Sequence, residues 1–266
     1  MDLSAYLGAD VGRGDLTTEL TVPDTEGSAY ITVEEDCVVA GMEEAETIFG
    51  LVGAKTECLV RDGDRVKAGT RVMDISGPLR GLITAERTAL NFLMHMSGVA
   101  TVTSEAVEAV DGKVIIAATR KTTPGFGDFQ KKAVALGGGD PHRYALDSMI
   151  MVKDNHIAAC GSVREAMERV SKASFAIKVE IEVQNIDDAV TAAEMGADII
   201  MADNMGPEET GELRDRVKGI NPRVLVEASG NMDLKKLKAY AGKVDIISMG
   251  CLTHSARSIQ FSMDVC

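Results

Sequence analysis

Basic residues cluster in the middle of the chain, at points where an apolar run ends or a glycine-rich loop begins. They are Arg120-Lys121, His142-Arg143 and Lys153 at the start of the run KDNH. The formal net charge is -13, so this concentration of cations departs from an acidic background. Arginine offers a planar fork that matches carboxylates, and lysine offers a compact point charge. The cluster therefore predicts a site for a small polyanion.

Two acidic residues accompany these cations. Glu182 and Asp203 each stand at the end of an apolar run. They would repel a ligand that carried only negative charge. They therefore indicate a ligand that also has hydroxyl donors, such as a ribose, or a Mg²⁺ ion that bridges carboxylate and phosphate.

Two glycine-containing segments near the C-terminus are suited to phosphate. One precedes a helical pattern over 232–241, and the other precedes the run LTHSARS. Glycine lets the backbone approach a ligand closely, and a helix N-terminus offers free N–H groups. We expect the phosphate to be held by the backbones of Ser229, Gly230, Asn231, Met249, Gly250 and Cys251.

From residue 112 onwards, apolar runs alternate with amphipathic helical segments. The predicted strands are 113–120, 148–155, 175–183, 197–203, 223–230 and 243–250, and the predicted helices are 128–136, 162–172, 186–195, 207–218 and 232–241. Such alternation is typical of a parallel sheet covered by helices. Because the strands fall short of the eight of a complete barrel, we expect an incomplete α/β barrel, with the polar strand ends gathered at one mouth.

The first part of the chain has a different pattern. Residues 28–77 favour short strands with a helical segment at 43–53, and the run DGDRVKAGTRV resembles the sheets of biotinyl and lipoyl carriers without their modified lysine. Residues 84–110 predict a helix, with Arg87 near its start, where a cation opposes the macrodipole. We predict an α+β domain over 1–111, including this linking helix, and a barrel domain over 112–266 whose last segment can pack back on the first.

Composition excludes several classes of function. A pI near 4.8 argues against general binding to nucleic acids or to an anionic membrane. No apolar run approaches the roughly 20 residues of a membrane helix, and the N-terminus lacks the pattern of a signal peptide. The five cysteines are scattered and form no CxxC pair, which predicts reduced thiols in a cytoplasmic protein.

Seven blocks together resemble one enzyme family. They are GRGDLTT, ERTALNFLMHMSGVAT, ATRKTTPG, GGGDPHR, KDNH, EASGN and MGCLTHS, in this order along nearly the whole chain. In this combination they resemble the quinolinate phosphoribosyltransferases. The resemblance implies an N-terminal α+β open-sandwich domain, a C-terminal incomplete parallel α/β barrel, and a homodimer or higher homo-oligomer.

The resemblance also implies the reaction. Phosphoribose would pass from phosphoribosyl pyrophosphate to quinolinate, with release of pyrophosphate and CO₂ and formation of nicotinate mononucleotide in de novo NAD biosynthesis. Mg²⁺ would be the cofactor. In this family Lys121, Glu182 and Asp203 match catalytic positions.

Binding roles follow from the same blocks. The carboxylates of quinolinate would be held by Arg120, Lys121, His142 and Arg143, with Thr119 lining the site. Lys153 would contact the phosphoribosyl donor, while Glu182 and Asp203 would serve its ribose and the metal. The two glycine segments would cradle the 5′-phosphate, and Arg87 would come from the neighbouring subunit. The family has an arginine where this chain has the run Phe126-Gly127-Asp128.

Other interpretations of single residues stay open. His95 is expected to be a packed helix residue and His156 to buttress the loop of Lys153. His254 could cap a helix rather than touch phosphate. Glu180 is expected to pair with Lys178 or to lie inside the barrel.

Two other functions also stay open. A related enzyme could take nicotinate, but its single carboxylate needs fewer cations than this cluster provides. A non-catalytic paralogue would have little use for the retained KDNH run, Glu182 and Asp203.

Overall fold

The computed structural model describes residues 2–266, which divide into two units. The first unit contains the described residues up to Ser104, together with Lys132–Gly137 and Ala256–Cys266. The second unit contains Glu105–Lys131 and Gly138–Ser255. The sequence-based division between residues 111 and 112 stays a prediction.

The helices and strands alternate along the chain. In chain order they are α1 (Ser4–Val11), α2 (Leu16–Thr21), β1 (Glu26–Val33), β2 (Cys37–Val38), α3 (Met42–Leu51), β3 (Lys55–Cys58), β4 (Arg65–Val66), β5 (Arg71–Pro78), α4 (Leu79–Ala109), β6 (Ile115–Ala117), α5 (Gly127–Leu136), β7 (Ile150–Val152), α6 (Asp154–Cys160), α7 (Val163–Val170), β8 (Val179–Val183), α8 (Ile186–Glu194), β9 (Ile199–Asp203), α9 (Pro207–Ile220), β10 (Leu225–Ser229), α10 (Leu237–Tyr240), β11 (Ile246–Ser248), α11 (Cys251–His254) and β12 (Phe261–Val265). None of the helices within residues 2–266 is long and apolar enough to span a membrane.

The first unit is built on an antiparallel sheet with strand order β12-β1-β5-β3. In β1 the side chains of Ala29, Ile31 and Val33 are buried while their neighbours are more exposed, which is the period of two of a half-buried strand. The strands β2 and β4 form a separate antiparallel pair. The sequence-based expectation of an α+β sandwich with strands and an intervening helix is confirmed.

Helix α4 runs without a break through Gly98. A Cβ atom at this position would lie 2.0 Å from the backbone oxygen of Arg257, so glycine allows close packing. The helix begins at Leu79, which places Arg87 about two turns inside it. Arg87 therefore does not lie near the helix start, and the expectation that it opposes the macrodipole there is wrong.

The second unit is a six-stranded parallel sheet with strand order β6-β11-β10-β9-β8-β7. All six predicted strands are present, although each is shorter than expected. The sheet ends at β6 and β7, and Asp140 forms an isolated parallel bridge with Ala117 at the β6 edge. The fold is thus an incomplete α/β barrel, as expected.

One predicted helix begins much later than expected. The pattern over 232–241 forms a helix only from Leu237, so the Ser229–Asn231 segment does not open directly into a helix. The reason is local, because a carboxylate oxygen of Asp233 accepts hydrogen bonds from the backbone N–H groups of Lys235 and Lys236. Aspartate side chains compete with helical bonding in this way.

Candidate active site

The carboxyl ends of the parallel strands line one cavity of about 380 Å³. Such a volume suits a small-molecule ligand. The sequence-predicted residues that line it are Thr119, Arg120, Lys121, His142, Arg143, Lys153, Glu182, Asp203, Ser229, Gly230 and Asn231. Gly250 and Cys251 line an adjoining cavity of about 260 Å³ that also contacts Lys121 and Ser229. The expected convergence at the strand ends is confirmed.

Two predicted residues lie elsewhere. Met249 is fully buried and lines neither cavity. Arg87 lies on α4 in the first unit, where it is 59% exposed and lies 3.8 Å from Glu86 Oε1. The cavity of the chain therefore gathers all the predicted basic residues except Arg87.

The segment after β6 is held by hydroxyl groups. The backbone N–H of Lys121 donates to Thr119 Oγ1 at 3.0 Å, and Thr253 Oγ1 donates to the carbonyl of Lys121 at 2.7 Å. Thr253 is buried. Because the backbone N–H and the carbonyl of Lys121 are both hydrogen-bonded, the backbone position from which its side chain enters the cavity is fixed.

A buried glutamine on α5 supports the same segment. Gln130 Oε1 accepts from the Thr123 N–H at 2.9 Å, and Gln130 Nε2 donates to the Thr253 carbonyl at 3.0 Å. This role could not be predicted from the sequence, because a glutamine in an amphipathic helix is usually a surface residue.

His142 sits on a strained turn. Its φ is 55, in the left-handed region, and its backbone N–H donates to Asp140 Oδ1 at 2.6 Å. Its ring Nε2 lies 3.3 Å from Glu180 Oε2 and 3.4 Å from Glu227 Oε2. Burial alone would disfavour the charged ring, but these two carboxylates outweigh it and raise the pKa of His142 to about 10. His142 is therefore an imidazolium at neutral pH.

Glu180 and Glu227 are fully buried beneath that ring. Burial raises the pKa of Glu180, and Glu227 acts in the same direction. Lys178 pairs instead with Asp198 at 2.8 Å, so of the two interpretations of Glu180 the barrel-interior one is correct. Sequence reasoning missed Glu227, which reads as one residue of an apolar strand.

Within residues 2–266, three other basic residues of the cavity, Arg120, Lys121 and Arg143, form no ion pair with a carboxylate. Arg143 is buried. Its pKa is lowered mainly by this burial and also by the positive charge of the nearby Arg120. None of the ion pairs among residues 2–266 involves Arg120, Lys121 or Arg143. Clustered cations that lack protein counterions are the arrangement expected of an anion site.

Lys153 is tethered from two directions. Its Nζ lies 2.6 Å from Glu182 Oε2, and its backbone N–H donates to His156 Nδ1 at 2.9 Å. The expected buttressing role of His156 is confirmed. Glu182 therefore orients a cation inside the cavity as well as presenting its own carboxylate.

The opposite side of the cavity consists of backbone and small polar groups. Ser229 pairs with Asp203 in the register of β10 and β9. Gly230 has φ 98, and a Cβ atom there would lie 2.3 Å from Asn204 Oδ1. A Cβ at Gly250 would lie 3.1 Å from the side chains of both Lys121 and His254. Only glycine fits at Gly230 without displacing its neighbour.

The two remaining histidines lie in helices. His95 lies inside α4, where burial lowers its pKa, as expected for a packed residue. His254 is the last residue of α11, and its Nδ1 lies 2.6 Å from Ser255 Oγ.

Glu182 and Asp203 could contact a magnesium ion if a bound phosphate compound supplied further ligands. Among residues 2–266, the clusters with three close ligand atoms are His142–Glu180–Glu227 and Glu43–Glu44–Asp62, and neither includes Glu182 or Asp203. These two residues therefore offer one or two carboxylates and not a complete cage. Mg²⁺ typically takes one or two protein carboxylates and fills its shell with water and phosphate oxygens.

The fold and the cavity define a class, that of α/β-barrel enzymes with an anion site at the carboxyl ends of the strands. Comparison with known proteins gives the family. Residues 15–97 match the model of the quinolinate phosphoribosyl transferase N-terminal domain, and residues 99–264 match that of the C-terminal domain. The chain belongs to the quinolinate phosphoribosyl transferase family and is an enzyme of that family.

Individual relatives agree over nearly the full length. The chain is 43% identical over 265 residues to a probable nicotinate-nucleotide pyrophosphorylase [carboxylating] of Methanothermobacter thermautotrophicus, covering 97% of this chain and 95% of the relative. It is 40% identical over 260 residues to the nicotinate-nucleotide pyrophosphorylase [carboxylating] of Mycobacterium leprae, covering 94% and 91%. The crystal structure of NadC from Streptococcus pyogenes is similar with a TM-score of 0.94 and 39% identity, covering 99% of this chain and 95% of that one.

Proposed function

We propose that the chain transfers phosphoribose from phosphoribosyl pyrophosphate to quinolinate, with release of pyrophosphate and CO₂ and formation of nicotinate mononucleotide. This reaction is a step of de novo NAD biosynthesis. The observation that carries the proposal is the cavity in which Arg120, Lys121 and Arg143, which form no ion pair within residues 2–266, lie opposite a glycine-containing turn.

The cation side suits a pyridine dicarboxylate. Arg120 and Arg143 offer planar forks for carboxylate oxygens, and the imidazolium of His142 adds a third positive group. Thr119 and Lys121 line the same wall. A ligand with two carboxylates uses more of these groups than nicotinate, which has one.

The glycine side suits the 5′-phosphate of the donor. Ser229, Gly230 and Asn231 line the main cavity, and Gly250 and Cys251 line the adjoining one. The space beside Gly230 is filled by Asn204, and the space beside Gly250 is filled by the side chains of Lys121 and His254. The backbone N–H groups of both segments are the proposed donors to the phosphate oxygens. Met249 supports this segment from the core.

Bond breaking at the ribose C1 develops positive charge on the sugar and negative charge on the leaving pyrophosphate. We assign the stabilisation of the leaving group to Lys121 and to Lys153, which Glu182 holds at 2.6 Å. Glu182 and Asp203 accept hydrogen bonds from ribose hydroxyls. The chain needs no covalent nucleophile, because positioning the two reactants can supply about 7–11 kcal/mol.

Loss of CO₂ follows from the chemistry of the alkylated ring. Once the pyridine nitrogen is bonded to ribose it is cationic, and that charge stabilises the carbanion left when the adjacent carboxylate is lost as CO₂. The carbanion then takes up a proton from solvent, which gives the C–H of nicotinate mononucleotide. The basic residues hold the second carboxylate in place during this step.

Magnesium is the proposed cofactor, with Glu182 and Asp203 as its protein contacts. When bound, Mg²⁺ neutralises charge on the pyrophosphate group. The donor set of one or two carboxylates supports an ion that is carried mainly by the phosphoribosyl donor.

The direct test is turnover of the purified protein with quinolinate, phosphoribosyl pyrophosphate and Mg²⁺. We expect equal yields of CO₂ and nicotinate mononucleotide, and loss of activity with a chelator. Turnover of nicotinate in place of quinolinate would indicate the related nicotinate-using enzyme, and inactivity with both would indicate a non-catalytic paralogue.

The active form is proposed to be a homodimer in which the partner subunit's Arg87 completes the site. The support is that Arg87 is 59% exposed and that its ion-pair partner among residues 2–266 is Glu86, at 3.8 Å. Equal mixing of Arg87→Ala with Lys153→Ala should restore about a quarter of wild-type activity. Half of the dimers then contain one chain of each variant, and one of the two sites in each such dimer is intact.

A matched control distinguishes a site that the partner subunit completes from a site that one chain builds alone. Lys153 and Arg143 line the same cavity of one chain, so mixing Lys153→Ala with Arg143→Ala should restore nothing. Absence of rescue in the first mixture would place Arg87 outside the neighbouring site.

The enzyme is proposed to work in the cytoplasm. All five cysteines are free, which suits a reducing compartment. Partial protection from thiol reagents is expected for Cys37 and Cys251, because burial raises the pKa of each thiol.

A further inference from the structure

A buried lysine lies behind the His142–Arg143 turn, outside the cavity lining. Lys131 on α5 is 2% exposed. Its Nζ donates to the carbonyl of Pro141, and it donates to the carbonyl of Arg143 at 3.1 Å. Among residues 2–266 it forms no ion pair with a carboxylate, although Asp140 lies near enough to favour its charge. A buried cation bonded to two backbone carbonyls is costly unless the carbonyls need it.

The two carbonyls flank His142 in sequence. That residue adopts φ 55, which a non-glycine side chain rarely adopts and which the surroundings must enforce. Lys131 fixes the peptide before His142 and the peptide after Arg143, while Asp140 Oδ1 accepts the N–H of His142 at 2.6 Å. The turn is thus held at both ends by one side chain.

We propose that Lys131 is a positioning residue that sets the affinity for quinolinate by holding the His142–Arg143 turn in the conformation that presents both cations to the ligand. The inference rests on the proposed function, since it concerns the dicarboxylate side of that site. It assigns no contact between Lys131 and substrate. Removal of its Nζ leaves the two carbonyls without a donor and allows the turn to relax.

The neighbouring lysine provides the contrast. Lys132 lies one position along the same helix, but its Nζ pairs with Glu43 at 2.5 Å and with Glu44 at 2.9 Å, within the first unit. If Lys131 merely stabilised the protein, loss of either lysine would have similar consequences. If Lys131 positions the turn, only its loss should affect the use of quinolinate.

The experiment compares the steady-state kinetics of Lys131→Met and Lys132→Met with the wild type. Methionine retains the length and the apolar contacts of the buried chain but has no donor. We expect Lys131→Met to raise the KM for quinolinate by about 10²-fold, a typical result of displacing a binding group by about 1 Å. The KM for phosphoribosyl pyrophosphate should change little, and Lys132→Met should leave both values unchanged.

Calorimetric binding of quinolinate without the donor distinguishes the failure of this inference from the failure of the proposed function. A wild type that neither binds nor turns over quinolinate would contradict the proposed function. A wild type that does both, with Lys131→Met binding quinolinate equally well, would overturn the role of Lys131. An equal rise in both KM values would also overturn it.

A second variant keeps the test decisive if Lys131→Met does not fold. Lys131→Gln retains a hydrogen-bond donor, but on a shorter and uncharged side chain. We expect a smaller rise in the KM for quinolinate, with the KM for phosphoribosyl pyrophosphate again unchanged. Wild-type values for quinolinate in soluble Lys131→Gln would overturn the proposal.

Discussion

On one side of the cavity, Arg120, His142 and Arg143 present charged side chains, whereas the side built from Asn204 and Gly230 presents backbone and small amides. The cation side depends on two buried carboxylates, which lie next to the His142 ring and favour its charged form. The glycine side needs empty space, because any Cβ at Gly230 would collide with Asn204. One side therefore depends on buried charge, and the other depends on the absence of an atom.

The largest expected effect comes from the cation side. Arg143→Ala should lower kcat/KM for quinolinate by about 10²–10³-fold, because two charge-assisted hydrogen bonds to a carboxylate are lost. The KM for phosphoribosyl pyrophosphate should remain close to the wild-type value. Steady-state kinetics with each substrate varied in turn measure the difference.

Arg223→Ala provides the control for that change. Arg223 is an exposed arginine of the same unit that lies outside the cavity. It should have wild-type kinetics. A near-normal KM for quinolinate in Arg143→Ala would remove Arg143 from the site and leave the two sides of the cavity without a functional difference.

The glycine side should respond with the opposite selectivity. Gly230→Ala combines a left-handed φ of 98 with a contact of 2.3 Å to Asn204. The turn must move, so we expect the KM for phosphoribosyl pyrophosphate to rise by about 10-fold or more, with direct binding of quinolinate retained. Kinetics and calorimetry together give both quantities.

Gly242→Ala matches this change in backbone strain but not in crowding. Gly242 has φ 81, and no atom lies within 4 Å of a Cβ built there. Gly242→Ala should lower the stability of the fold somewhat and leave the KM values for both substrates unchanged. If the two alanine variants behave alike, backbone strain and not the close approach explains Gly230.

A smaller effect concerns the charge of His142. Its pKa of about 10 lies above the ordinary value of 6.5, so its contribution to stability is complete below pH 6.5. That contribution is lost as pH rises through about 10. The free energy of unfolding should therefore fall between pH 7 and pH 10 by more in the wild type than in His142→Asn. Chemical denaturation over this range measures it.

Lys131 titrates in the same pH range, but its titration changes the free energy of unfolding in the opposite direction. Burial lowers its pKa to about 8, so its deprotonation favours the folded state as pH rises above that value. This contribution is present in both proteins and cancels in the comparison. An NMR resonance of His142 that titrates near pH 6.5 would contradict the role of Glu180 and Glu227.

Much of this architecture could be predicted from sequence. The alternation of apolar runs with amphipathic helices located all six barrel strands, and the basic clusters that follow β6 and β7 marked the cation side. The start of α10 was missed, because the pattern over 232–241 looks helical and the competing carboxylate of Asp233 acts through geometry. Gln130, Lys131 and Glu227 were also missed, because their partners are distant in sequence or are backbone atoms.

The open edge of the barrel affects where a ligand-binding segment of the chain can lie. Asp140 forms its bridge with Ala117 beside β6, so the approach to His142 occupies the place where a further strand would lie in a closed cylinder. A strand that closed the barrel would pair with β6 through regular backbone hydrogen bonds. In this fold, the break in the wall is the place where the chain can display two cations on a bent peptide.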